Sequence, residues 1–166
     1  MAKGDNIIIE QADVKNTYLN AWMHNDEQGL MDISRYYRLF HQFPAHFQKL
    51  MEEGKQVVLQ LKWPLYGTKQ GAHHWYEELR RILLLLSFKV SDADEALFYK
   101  VDSNRFLVLS AMTDYFTIVT NSHALSTKTK LQLNEHFVLV DLSDINWLLG
   151  VSVMQNLEEK TITLGQ

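Results

Sequence analysis

Apolar residues recur at the spacing of one helix face between positions 72 and 86. The members of this stripe are Ala72, Trp75, Tyr76, Leu79, Ile82, Leu83 and Leu86. Thr68 precedes the stripe at the position of an N-cap, so the pattern predicts a long helix that starts there. A second helix is predicted over residues 123–136, with Ser122 as its cap.

Alternating and β-branched runs predict strands around these two helices. The runs cover residues 7–14, 56–63, 97–101, 106–112, 116–120, 138–140, 150–154 and 161–164. Those at 97–101 and 106–112 are expected to pair around the turn Asp102-Ser103-Asn104. Because strands and helices mix without strict βαβ alternation, we expect an α+β fold with helices on one face of a mostly antiparallel sheet.

Composition and charge exclude some classes of protein but do not identify this one. The chain has 166 residues, 46% of them hydrophobic, which suits one domain over residues 1–166 with an irregular segment at 24–55. It has no cysteine, no signal-peptide pattern and no apolar run long enough to cross a membrane, so we expect an intracellular protein without a membrane partner. The net charge of −4 argues against binding nucleic acid through bulk charge alone.

A single carboxylate, Asp114, interrupts the apolar run SAMTDYFTIV at residues 110–119. Strand interiors rarely contain Asp, because the carboxylate is costly to desolvate. Asp13 stands near the end of another strand, and if the two strands are neighbours the two carboxylates could share divalent cations for phosphoryl transfer. The alternative is that both are ordinary solvated acids at strand ends.

The stretch LYGTKQGAHHWYEEL, residues 65–79, leads into the N-terminus of the long helix. Free N–H groups together with Lys69 and Gln70 would suit an anionic ligand such as a phosphate. The alternative is an ordinary capped helix whose Trp75 and Tyr76 are core residues. His73 and His74 are adjacent and so point to different helix faces, and no zinc-binding spacing occurs.

Five ordered blocks together resemble the reverse transcriptase of copia-type (Ty1/copia) retrotransposons, with those of fungal elements closest. The blocks are DVKNTYLN, LYGTKQGAHHWYEEL, SFKVSDADEALFYK, the Asp114-Tyr115 hairpin followed by FTIVTNS, and FVLVDLSDINWLLGVSV through TITLGQ. The resemblance implies a palm subdomain with part of the fingers, which would carry out RNA-directed DNA synthesis on an RNA or DNA template-primer with Mg²⁺ or Mn²⁺. Segment 24–55 departs from the family pattern.

The resemblance also implies roles for individual residues. Asp13 and Asp114 match the catalytic, metal-binding aspartates, with the carbonyl of Val14 as a further metal ligand. Three residues match contacts to the incoming nucleotide: Tyr18, Lys69 and Gln70. Leu149 and Gly150 resemble the hairpin that contacts the primer.

Departures from the family pattern lead us to expect impaired or absent catalysis. Tyr115 stands where the family's YVDD hairpin has its second aspartate, and a phenol that titrates near pH 10 is no anionic ligand at neutral pH. His73 and His74 replace a common Pro-Arg pair. The family's N-terminal fingers elements, thumb, connection and RNase H regions also find no counterpart in this sequence.

Two other functions stay open on the sequence. A domesticated, non-catalytic module could bind nucleic acid or a protein through aromatic residues of the divergent region, namely Trp22, Tyr36, Tyr37 and Phe40, although local core packing would also explain them. Uncovered sheet edges or apolar faces could also let the chain self-associate. The chain could also be a relic that keeps the fold without a selected role.

Overall fold

The largest element of the computed structural model is a six-stranded antiparallel sheet. The structure describes residues 7–23, 29–33 and 41–166. The strands are β1 (Ile8–Val14), β4 (Lys89–Val90), β5 (Leu97–Asp102), β6 (Arg105–Met112), β7 (Tyr115–Thr120) and β8 (Leu139–Asp144). Their spatial order is β4-β5-β6-β7-β1-β8, which places β1 between the second strand of the 112–115 hairpin and β8.

Two smaller antiparallel sheets accompany the large one. Strands β2 (Leu30–Asp32) and β3 (Val58–Gln60) form a two-stranded ribbon. Strands β9 (Trp147–Leu148), β10 (Val151–Asn156) and β11 (Thr161–Gly165) form a three-stranded sheet near the end of the chain.

The helices are α1 (Ala45–Glu52), α2 (Lys69–Leu85), α3 (His123–Asn134) and a short 3₁₀ helix, Thr17–Asn20. Helices α2 and α3 bury their apolar stripes against one face of the large sheet. The buried core at this contact includes Ala12, Val14, Trp75, Leu79, Ile82, Leu83, Phe98, Leu107, Leu109, Phe116, Ile118 and Leu133. A separate small cluster of Ile33, Met51 and Val57 links α1 to the ribbon.

Both helix caps predicted from the sequence are confirmed. Thr68 accepts a hydrogen bond from the N–H of Gly71, and Ser122 accepts one from the N–H of Leu125. The α+β class, the antiparallel pairing and the helices on one sheet face are also confirmed.

Some strand limits differ from the expected ones. The predicted strand at 56–63 shrinks to β3, because Trp63 and Pro64 already belong to the turn that leads to α2. Strand β8 is longer than expected, because it pairs with β1 from Glu10 to Val14. None of the helices in the described part of the chain is long and apolar enough to span a membrane.

Candidate active site

The two predicted aspartates lie close together along the backbone, Asp13 on β1 and Asp114 in the turn that leads into the neighbouring strand β7. Asp13 pairs with Tyr115 in the β1–β7 register, and Asp114 occupies the two-residue turn between β6 and β7. The N–H of Val14 donates to the carbonyl of Asp114 at 2.7 Å, which ties the hairpin turn to the end of β1. The sheet topology therefore brings both carboxylate-bearing residues and Tyr115 to one end of two adjacent strands.

Trp75 of α2 holds the hairpin turn from the helix side of the sheet. Its indole N–H donates to the carbonyl of Thr113 at 2.7 Å, while its ring packs edge-on against Phe137 at 4.9 Å between centroids. Thr113 has a φ of 52°, a left-handed conformation that is uncommon for a β-branched residue. The sequence correctly predicts Trp75 in the core, but the hydrogen bond was missed, although a buried indole N–H usually requires a partner.

Electrostatics around Asp13 are set by one close cation. The Lys15 ammonium lies 2.7 Å from Oδ2 of Asp13. The hydrogen bond and charge of Asp13 raise the pKa of Lys15, and the charge of Asp114 adds a smaller contribution. Lys15 thus partly neutralises the charge of the Asp13 carboxylate.

The donor set for a metal ion is small. Across the described ranges, no group of three or more His, Cys, Asp or Glu side chains could hold a metal. The carbonyl of Val14 accepts a hydrogen bond from the Thr17 hydroxyl at 2.8 Å, so part of its acceptor capacity is already used. Tyr115, directly opposite Asp13, is half exposed and places a phenol beside the two aspartates.

Tyr18 contacts the first turn of α2, where Lys69 and Gln70 begin the helix. A Cβ on Gly71 would lie only 3.3 Å from the Tyr18 ring and 3.0 Å from the Leu65 carbonyl, so glycine permits this close approach. Tyr18 also lines a cavity of about 130 Å³ together with Trp75, Ala111 and Thr113. Gln70 faces a different cavity, of about 360 Å³, lined by Met23, Gly29, Leu30, Leu61, Pro64, Leu65 and Thr68. Lys69 is exposed.

Leu149 and Gly150 form the turn between β9 and β10. Both have positive φ, 51° and 83°, and Leu149 is strongly exposed. The Gln11 side-chain amide donates to the carbonyl of Trp147 at 3.1 Å. Because Gln11 and Asp13 are two positions apart on β1, they share a sheet face, so β9 is attached to the face that carries Asp13.

A second polar cluster, which the sequence did not predict, lies on the opposite face of β1. The Glu10 carboxylate contacts the Lys130 ammonium at 2.8 Å, the Ser126 hydroxyl and the His123 ring, and Lys130 also reaches Asp141 at 2.7 Å. Burial raises the pKa of Glu10, but hydrogen bonds from Lys130 and Ser126 outweigh burial and leave that pKa below its usual value. Glu10 sits inside a β-branched run and Lys130 on a helix, and neither position alone indicates the pairing.

The aromatic residues considered for a non-catalytic contact surface divide into two groups. Trp22 is exposed and stacks on Trp63, with ring centroids 5.2 Å apart. Tyr36, Tyr37 and Phe40 lie outside the described residues. The alternative explanation, that Trp22 packs in a local core, is therefore wrong, because its side chain is exposed.

Fold and site together define an α+β protein with an aspartate-bearing hairpin at the end of an antiparallel sheet. The family model described as "Reverse transcriptase (RNA-dependent DNA polymerase)" matches residues 1–166. The chain therefore belongs to the reverse transcriptase family.

Curated relatives refine this assignment. The chain is 27% identical over 143 residues to the "Retrovirus-related Pol polyprotein from transposon RE1" of Arabidopsis thaliana and 28% identical over 143 residues to the corresponding protein from transposon RE2. Each match covers 86% of this chain and 9% of the relative, so the chain spans less than a tenth of these polyproteins. The copia-type resemblance is confirmed, while the affinity to fungal elements stays a prediction. No solved structure gives a significant match.

Proposed function

We propose that this chain is the palm region of a retrotransposon reverse transcriptase whose nucleotidyl-transfer site is impaired. One observation carries the proposal: Tyr115 pairs with Asp13 across β1 and β7, beside Asp114 in the hairpin turn. The backbone thus brings two aspartates to one hairpin, and the position that would complete a cluster of three acids holds a phenol instead of a carboxylate.

Asp13 and Asp114 would hold Mg²⁺ or Mn²⁺, because hard divalent cations prefer carboxylate oxygens. The metal would supply charge stabilisation to the phosphoryl group and its leaving oxygen. Lys15, at 2.7 Å from Asp13, competes for the same carboxylate and so weakens metal binding further. With one carboxylate fewer, the main electrostatic contribution to phosphoryl transfer is reduced.

The remaining site residues fit positioning roles in the same reaction. Tyr18 would lie against the sugar of an incoming nucleotide, and Lys69 and Gln70, at the N-terminus of α2, would contact its phosphates. Leu149 and Gly150 would contact the primer, since Gln11 holds β9 on the sheet face of Asp13.

Primer extension tests the proposal. On a homopolymer RNA template with an oligodeoxynucleotide primer, the wild-type chain should extend little or nothing in Mg²⁺ or Mn²⁺. Tyr115→Asp should raise extension at least about tenfold, since removing one preorganised transition-state contact commonly costs a factor of a hundred or more.

The matched control is the double variant Tyr115→Asp/Asp114→Asn, which carries the new carboxylate but lacks a metal ligand. Its extension should fall back to the wild-type level. Robust extension by the wild type that Asp114→Asn does not reduce would contradict the proposed site.

A further inference from the structure

Lys100 of β5 lies on the side of the large sheet that faces the helices. Side chains two positions apart on a strand share a face, and Phe98, two positions earlier, is fully buried in the core. The cross-strand partner of Lys100 is Leu107, which is also fully buried. The aliphatic stem of Lys100 therefore runs along the border of the core, while the residue as a whole stays partly exposed.

The ammonium group of Lys100 lies over an aromatic ring. Its Nζ is 4.4 Å from the ring centroid of Phe88, which is buried. The end of α2 fixes this ring, because Ser87 is left-handed, with φ 66°, and its N–H donates to the carbonyl of Leu84 at 3.0 Å. The N–H of Phe88 donates to the carbonyl of Leu83 at 2.9 Å. These two bonds form the C-terminal helix motif that places an apolar residue against the last turn.

The charges around Lys100 disfavour its protonated form. Within the described ranges no carboxylate forms an ion pair with it. Asp102, two positions further along the same face, pairs with Arg105 at 2.5 Å instead. Burial, and to a smaller extent the charge of Lys128 on α3, lower the pKa of Lys100 from its ordinary value of 10.5 to about 8.

An amine in these surroundings is a better nucleophile near neutral pH than an ordinary lysine. At pH 8 about half of the Lys100 side chains are neutral, compared with about 0.4% for a lysine that titrates near 10.4. Part of this gain is lost, because intrinsic nucleophilicity falls with basicity, with a Brønsted coefficient of about 0.5 for thiols, and a net advantage of about tenfold remains. Desolvation in an apolar site is a general way to activate a lysine.

We propose that Lys100 is an acylation site that takes its acyl group from a small acyl phosphate. Exposed Lys128 supplies a cation for the phosphate of the donor, and the limited exposure of Lys100 favours a small reagent. The neutral Nζ attacks the carbonyl carbon, a C–N bond forms and the C–O bond to phosphate breaks. Inorganic phosphate leaves with the bonding electron pair, and the nitrogen loses a proton to water, so that a neutral amide remains.

This site is separate from the proposed catalytic one. Strands β6 and β7 lie between β5, which carries Lys100, and β1, which carries Asp13. Acylation would remove a partly buried charge from the helix side of the sheet without touching the hairpin at Asp114. The outcome of primer extension therefore has no bearing on the acylation of Lys100.

Competitive isotope labelling of the whole chain tests the proposal. The folded protein reacts with acetyl phosphate at pH 8 and is then unfolded in urea, where deuterated acetic anhydride acetylates the remaining lysines. Mass spectrometry of peptides cut at acidic residues gives the fraction of each lysine that reacted in the folded state. Lys100 should react at least about fivefold faster than Lys89, an exposed lysine directly after Phe88.

The pH dependence and two variants connect the rate to the geometry. The rate at Lys100 should level off above about pH 8, whereas the rate at Lys89 should still rise at about pH 9.5. Lys128→Gln should slow labelling by acetyl phosphate about threefold or more, because a nearby cation concentrates an anionic reagent. The same variant should change labelling by the uncharged ester 4-nitrophenyl acetate by less than about twofold, and Lys128→Arg, which keeps the cation, should retain the wild-type rate with both donors.

Three results would overturn the proposal. The first is labelling of Lys100 no faster than that of Lys89 in the folded wild type, a comparison that needs no variant to fold. The second is an equal excess at Lys100 when acetyl phosphate is added to the protein already unfolded in urea, since the advantage is expected from the fold. The third is an unchanged rate with acetyl phosphate in Lys128→Gln, which would reject an acyl phosphate as the donor.

Discussion

Two acidic residues of β1 lie three positions apart, on opposite faces of the sheet, and their surroundings differ completely. Glu10 faces the helices, where Lys130, Ser126 and His123 surround its carboxylate. Asp13 faces away from the helices, at the end of the strand, with Lys15 as its ion-pair partner and Tyr115 opposite.

This difference separates a structural acid from a candidate functional one. Every oxygen of Glu10 is bound by groups that the fold supplies, so a ligand would have to displace them. Asp13 instead has an exposed lysine as its partner and a second acid, Asp114, at the adjacent turn. A carboxylate that the fold leaves incompletely satisfied near another acid is available for a cation.

The largest effect is expected from breaking the buried network at Glu10. Lys130→Met would leave the Glu10 carboxylate buried without its closest cation, since both side chains are about 10% exposed. Removing one partner of a buried ion pair costs about 3–5 kcal/mol of unfolding free energy. Urea denaturation followed by circular dichroism at pH 7 measures this loss.

Lys15→Met is the matched variant at the other end of β1. Its ion pair with Asp13 is closer still, at 2.7 Å, but Lys15 is exposed, and exposed pairs contribute about 0–1 kcal/mol. Equal destabilisation by the two substitutions would contradict the distinction between the two acids.

A smaller effect is expected from titrating the same network with acid. The pKa of Glu10 lies below its ordinary value of 4.5, so the folded protein binds this proton less readily than the unfolded chain. The stability that Glu10 contributes is present above pH 4.5 and is lost as the pH falls through the lowered pKa, at about 1.4 kcal/mol for each unit of lowering.

Urea midpoints of the wild type and Glu10→Gln at pH 7 and pH 3.5 measure this contribution. The wild type should lose more stability between the two pH values than the variant, which has no carboxyl to titrate at position 10. Parallel losses in the two proteins would show that Glu10 contributes nothing to the acid dependence.

The sequence predicts what depends on local pattern and misses what depends on contacts between distant segments. The stripe that contains Leu79 and Ile82 requires a helix, and the caps Thr68 and Ser122 mark where helices begin. The run containing Asp114 likewise forms the hairpin between two predicted strands, with the acid in its turn.

The contacts between distant segments could not be predicted from the sequence and are seen only in the structure. Gln155 reaches the main chain of Ile9 with both ends of its amide, at 2.8 and 2.7 Å, and so attaches β10 to β1 across 146 positions. Nothing in the local sequence of either residue indicates this pairing. The same holds for Trp63, whose partner Trp22 lies 41 positions earlier.

A further, small effect on stability is expected at the Asp13 end, and it should depend on metal. Tyr115→Asp would place a third carboxylate opposite Asp13 and beside Asp114, so like-charge repulsion should lower the unfolding free energy by about 1 kcal/mol in EDTA. A divalent cation that binds the folded cluster and not the unfolded chain should reverse this loss. Differential scanning fluorimetry with and without 10 mM Mg²⁺ or Mn²⁺ measures both steps. Tyr115→Asn, which changes the ring without adding charge, should show no shift with metal, and an equal metal-dependent rise in Tm for both variants would refute a cation site built on Asp13 and Asp114.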